Sequence, residues 1–86
     1  MEKYNGWENR DTWLVSLWLN NDRGNYNYIC DNCMMFPYYT DEIVKNILRR
    51  YCFFGDMINW DNVCVKEIRE MIKEIEKDIC EIGLTD

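Results

Sequence analysis

The residues of this chain that could carry chemistry are a Cys30-x-x-Cys33 pair and an abundance of carboxylates. A Cys-x-x-Cys pair is half of a thiolate zinc site, and tetrahedral zinc needs four ligands. Cys52, Cys64 and Cys80 are scattered singly, so no second close pair exists. No strand–helix context of the thioredoxin kind surrounds the pair, which disfavours a redox couple. We read these thiols as small apolar core residues and expect no metal and no other cofactor. Histidine is absent, which removes the commonest general base and every Ser-His or Cys-His nucleophile arrangement. The four glycines are isolated and make no phosphate-cradling loop. A paired-acid glycosidase would need a groove that 86 residues hardly supply. The chain is therefore expected to bind another macromolecule and not to be an enzyme.

Charge and aromatic content suggest what kind of partner. With 10 basic and 16 acidic side chains the net charge is −6, which repels phosphate backbones and anionic membrane surfaces. A protein with a basic cleft is the favoured partner, although mild acidity also serves solubility. Six of the 16 acids gather near the C-terminus, at Glu67, Glu70, Glu74, Glu76, Asp78 and Glu81. Lys66, Arg69, Lys73 and Lys77 are interspersed among them and weaken the idea of a faithful DNA mimic. Four Trp, six Tyr and three Phe supply large surfaces for a short chain to bury. Trp13 and Trp18 are expected in the core. Trp7, Trp60, Tyr38 and Tyr39 fall in or beside predicted loops, either as exposed interface anchors or tucked over the core.

Helices must position these groups. A chain of this length holds one domain, 1–86, and one core. The pattern predicts an all-α fold, a small bundle of about four helices. The first starts at Asn9-Arg10-Asp11, capped by Asn9 or Asp11, with an apolar stripe at Trp13, Leu14, Leu17 and Trp18 that Val15 and Leu19 widen, and loosens near Asn20-Asn21-Asp22. The second spans roughly residues 23–36, with Tyr26, Ile29, Cys30, Cys33 and Met34 at helical spacing, and ends before Pro37. Thr40 caps the third and Gly55 closes it. Asp61 or Asn62 caps the last, which carries Val65, Ile68, Ile72, Ile75, Ile79 and Ile82 at spacings of three and four, with Gly83 as its stop. This seam fits either one side of an intramolecular bundle or half of a coiled-coil homodimer. The bundle is preferred, because the other helices need a surface to cover. On the outer face Lys66–Glu70 and Lys77–Glu81 can pair at i, i+4. No apolar run approaches the roughly 18 residues of a membrane span, and the start, Met1 to Gly6, is polar, so no export signal is expected. An odd cysteine count then fits reduced thiols in a cytoplasm.

The run from Tyr4 to Asp22 contains Asn9, Thr12, Trp13, Trp18, Asn21 and Asp22 in the pattern N-x-x-T-W-x-x-x-x-W-x-x-N-D. It resembles small proteins of phages, plasmids and prophages that carry this signature. The resemblance covers about a quarter of the chain and implies context more than activity: a mobile-element protein in a bacterial host. Small acidic proteins of such origin are often inhibitors of host defence, among them anti-CRISPR and antirestriction proteins. It thus implies a partner that is a host defence effector, a CRISPR–Cas subunit being one such. Glu67, Glu70, Glu74, Glu76, Asp78 and Glu81, with Tyr38 and Tyr39, would be the contact residues. The alternative is a self-associating interaction module serving phage or plasmid maintenance or expression.

Overall fold

Short polar side chains set where the helices begin. In a computed structural model, which describes residues 3–84 and side chains as far as Ile79, α1 runs Arg10–Asn21 behind Asn9, whose side chain accepts from the Thr12 amide. Asp22 then serves two helices. Its backbone N–H donates to the Trp18 carbonyl, while its carboxylate accepts from the Asn25 amide and caps α2, Arg23–Asn32. The Asn20-Asn21-Asp22 run is thus a sharp joint. Thr40 caps α3, Asp41–Tyr51, with Asp41 and Glu42 in its first turn and Arg49 and Arg50 in its last, each charge suiting the helix dipole at its end. The longest element is α4, Val65–Leu84.

Several boundaries depart from the sequence expectation. The second helix stops at Asn32, and Cys33–Tyr38 tightens into a 3-10 helix that contains Pro37 instead of ending before it. Proline's fixed φ suits that geometry, and the turn closes with Tyr39 N–H on the Phe36 carbonyl. Gly55 does not close α3, which ends at Tyr51 with Cys52 as its cap. Asp61 and Asn62 lie in a separate 3-10 turn, Trp60–Asn62. The amides of Glu67 and Ile68 donate instead to the Cys64 carbonyl. Gly83 stands within α4 and does not stop it.

The core draws on every helix: Val15 and Leu19 from α1, Ile29 from α2, Cys33 and Phe36 from the 3-10 helix, Val44 and Leu48 from α3, and Val65, Ile68, Ile72 and Ile75 from α4. The architecture is an all-helical globule with four α-helices and, among the described residues, no strand. The heptad seam is consumed inside the molecule through Ile75, which is the intramolecular alternative. Ile79 is 39% exposed, and the side chain of Ile82 lies outside the described residues. No described helix is long and apolar enough to cross a membrane.

The stripe expected on α1 is buried in part. Leu14, Val15 and Leu19 are buried as expected, and the hydroxyl residues Thr12 and Ser16 join them in place of Trp13, Leu17 and Trp18. Burial is tolerated because both hydroxyls are bonded. Thr12 Oγ1 donates to Asn9 Oδ1 and accepts from the Cys64 amide, and Ser16 Oγ donates to the Trp13 carbonyl. Trp13 and Trp18 consequently sit half-buried at the edge of the bundle, while the loop residues Trp7 and Trp60 pack against the core. Tyr26 and Met34, placed on the α2 stripe by spacing, are exposed.

Candidate protein-binding surface

The signature residues are occupied in holding the long 52–64 connection to α1 and α2. Asn9 Nδ2 donates to the Asn62 carbonyl at 2.6 Å, and Thr12 takes the Cys64 amide at 2.8 Å. Asp11, within the same run, accepts from the Asn59 amide and from Asn62 Nδ2. Trp13 meets Tyr4 edge-on at 5.2 Å. Trp18 Nε1 donates to Asp56 at 2.9 Å, and its ring meets Phe53 edge-on at 5.5 Å. Beside them the buried Asn25 donates to the Phe53 and Trp18 carbonyls and accepts from the Phe53 amide. Asn21 alone of the six is exposed, with no side-chain partner among the described residues. The signature therefore builds scaffold, and a binding surface has to be sought elsewhere.

On α4 the charges alternate in sequence but not in space. At about 3.6 residues per turn, positions three and four apart share a side. Lys66, Arg69, Lys73 and Lys77 therefore form one flank, and Glu67, Glu70, Glu74 and Asp78 the other. Two grooves beside the helix reflect the division. The one toward the N-terminal turn is lined by Gly6, Trp7, Glu67, Glu70, Met71 and Glu74. The one toward the 33–38 helix, about 360 Å³, has Cys33, Phe36, Pro37 and Ile72 with Lys66, Arg69, Lys73, Glu70 and Glu76. Glu70 borders both. The expected dilution of acids by lysines is thus replaced by a ridge of one sign, with Glu76 half-buried on the cationic side.

The individual acids differ in their freedom. Glu67 is engaged: it accepts from the Glu8 amide at 2.8 Å and stands 3.6 Å from Lys3 Nζ. Glu70, Glu74 and Asp78 are exposed, and among the described residues none of them is in an ion pair. The i, i+4 pair Lys66–Glu70 does not form. The side chain of Glu81, and with it Lys77–Glu81, lies outside the described residues.

The tyrosine pair splits. Tyr38 is 83% exposed, whereas Tyr39 packs against the core and meets Phe36 edge-on at 5.6 Å. Met34 and Met35 stand exposed on the same 3-10 helix. Sequence reading passed over Met35 and counted Met34 as buried. It also took Arg69 for a solvated cation. Arg69 is instead a latch: Nε donates to Asp41 Oδ1 at 2.9 Å, Nη1 to the Phe36 carbonyl at 3.0 Å, and Nη2 to the Tyr39 carbonyl. Its place beside Ile68 and Ile72 on the helical wheel was the only available signal.

The thiols do not converge. Cys33 is buried with Sγ toward the Cys30 carbonyl, and among the described residues no three His, Cys, Asp or Glu side chains gather to hold a metal. Burial, aided by the Asp22 charge, pushes the Cys52 thiol up to about 11.

The N-terminal turn that covers Glu67 has its own logic. Tyr4 and Trp7 exchange both backbone hydrogen bonds around Asn5-Gly6, whose φ angles of 49° and 87° are those of the tight turn that Asn-Gly favours. This turn presents Trp7 to the core and forms one wall of the acidic groove. No curated protein and no solved structure matches the chain. A family model does match, over residues 1–78 and so across α1, α2, α3 and most of α4, and the chain belongs to that family, DUF7249, a family of unknown function.

Proposed function

We propose that this protein is an inhibitor from a mobile genetic element that binds a host defence effector, anti-CRISPR-like in its action. Its acidic α4 flank lies against a basic, nucleic-acid-binding surface of that effector. The observation that carries the reading is the segregation on α4: Glu70, Glu74 and Asp78 are exposed and free of ion pairs among the described residues, and Glu74 and Asp78 lie clear of the lysine flank that Glu70 borders. A one-sign ridge attracts a basic cleft and speeds encounter with it. Tyr38, Met34 and Met35 add apolar contact area on the neighbouring 3-10 helix, of the kind that makes adaptable interfaces. The likeness of the N-terminal run to mobile-element proteins supplies the host context.

The test is retention of host nuclease or surveillance subunits by the tagged protein, at low salt and again at physiological salt. Glu70→Lys, Glu74→Lys and Asp78→Lys together should weaken retention about tenfold or more, with unchanged helical content, since rim charges act mainly on association. The same triple variant should no longer protect a phage from an immune host. A chain that retains no such subunit at low salt sinks the proposal.

A further inference from the structure

We infer that the groove between α4 and the 33–38 helix is a self-association surface, occupied by the same groove of a second copy in a two-fold, antiparallel arrangement. This does not rest on the inhibitor reading and uses the groove on the lysine side of α4, with Glu70 common to both surfaces. The groove has an apolar wall of Phe36 and Pro37. In a 3-10 helix residues three apart share a side, so Met34, 66% exposed, extends that wall beyond Pro37. Four charges border it without an ion pair among the described residues: Lys66, Glu70, Lys73 and Glu76. Arg69, the remaining cation there, is already matched by Asp41.

The order of those four charges identifies the occupant. Lys66 and Glu76 are centred on Met71, and Glu70 and Lys73 are centred half a residue further on. Reversing the helix about that point carries each lysine onto a glutamate and each glutamate onto a lysine. A two-fold axis perpendicular to α4 and passing beside it there therefore sets Lys66 of one copy opposite Glu76 of the other, and Glu70 opposite Lys73, four cross-copy pairs in all. Two-fold interfaces require such self-complementarity, residue i meeting j and j meeting i. A partner of single sign would instead be repelled by half of the rim. The heptad seam, which first suggested a dimer, stays buried within the copy through Ile75.

Sedimentation at about 100 µM, a concentration suited to a weak contact, tests the inference. The wild-type chain should sediment at twice the monomer mass. Lys66→Glu with Lys73→Glu, and separately Glu70→Lys with Glu76→Lys, should each give monomers with wild-type circular dichroism, because the altered side chains make no intramolecular ion pair. Mixing the two variants should restore the doubled mass as a heterodimer. Met34→Asp should also shift the wild-type chain toward monomer. A monomeric wild-type chain overturns the inference, and so do charge variants that remain dimeric or fail to recombine on mixing.

Discussion

Gly55 offers a sharp test of the packing between α1 and the 52–64 connection. A Cβ at this position would lie 2.5 Å from both Cζ2 and Cη2 of Trp18, whereas carbon atoms pack at roughly 3.5–4.0 Å. Gly55→Ala therefore requires the indole to move by about 1 Å. The ring is not free to do so, because Nε1 is bonded to Asp56 at 2.9 Å and its edge rests on Phe53. Losing the hydrogen bond costs about 0.5–1.5 kcal/mol, and disturbing the aromatic contact about 0.5–1.5 kcal/mol. Against this, alanine removes about 0.4–1 kcal/mol of unfolded-state freedom, because Gly55 does not need a positive φ. The net destabilisation is about 1–2 kcal/mol, or roughly 4–16 °C in Tm for a domain of this size. Urea unfolding followed by circular dichroism measures it without relying on the altered tryptophan. In a Trp18→Leu background the clash is gone, so Gly55→Ala should become neutral or stabilising by up to about 1 kcal/mol. Equal effects in both backgrounds would refute the packing argument.

Asn25→Ala should destabilise by about 2–4 kcal/mol, since it strands the Phe53 amide and carbonyl that the amide side chain now holds; a loss below about 0.5 kcal/mol in the same urea assay would show that water replaces it. Arg69→Lys should cost about 1–3 kcal/mol, because one ammonium cannot serve Asp41 and the carbonyls of Phe36 and Tyr39 together; stability equal to wild type would remove the latch. For Cys52, burial holds the proton from the usual 9.0 to about 11. Alkylation mapped by mass spectrometry should reach half its maximal rate near pH 11, and a midpoint near 9 would contradict this. The folded state keeps that proton to higher pH than the unfolded chain does. Stability should therefore fall as pH rises through the window from about 9 to about 11.

Sequence reading succeeded where local signals were strong. The Thr40 cap formed as expected, Asn9 is the cap of the two offered for α1, and the Val65–Ile75 seam faces the core, the preferred of its two readings. It succeeded only in part on α1, where apolar residues fall on more than one side of the helix. Leu14, Val15 and Leu19 are buried as expected, but Thr12 and Ser16 satisfy their hydroxyls locally and take places expected for Trp13 and Trp18. Glycine and proline misled for a related reason. Each was assigned its commonest backbone role, whereas Gly55 is needed for ring clearance and Pro37 fits a 3-10 turn. In the candidate surface the six acids were legible as residues, but their grouping was not. Alternation along the chain hid a separation that appears only when 3.6 residues make a turn. Arg69 resembled any other solvated cation until the neighbouring carbonyls were placed.

The 52–64 connection, with only one short 3-10 turn of its own, would ordinarily open and close independently of the helices it joins. Here side chains of α1 and α2 hold three of its amides, those of Phe53, Asn59 and Cys64. Freeing any of these protons means releasing Asn25, Asp11 or Thr12, and Asn25 and Thr12 are buried. The connection and the first two helices thus form one cooperative unit, whose irregular part exchanges with solvent on the timescale of the helices and not of a loop.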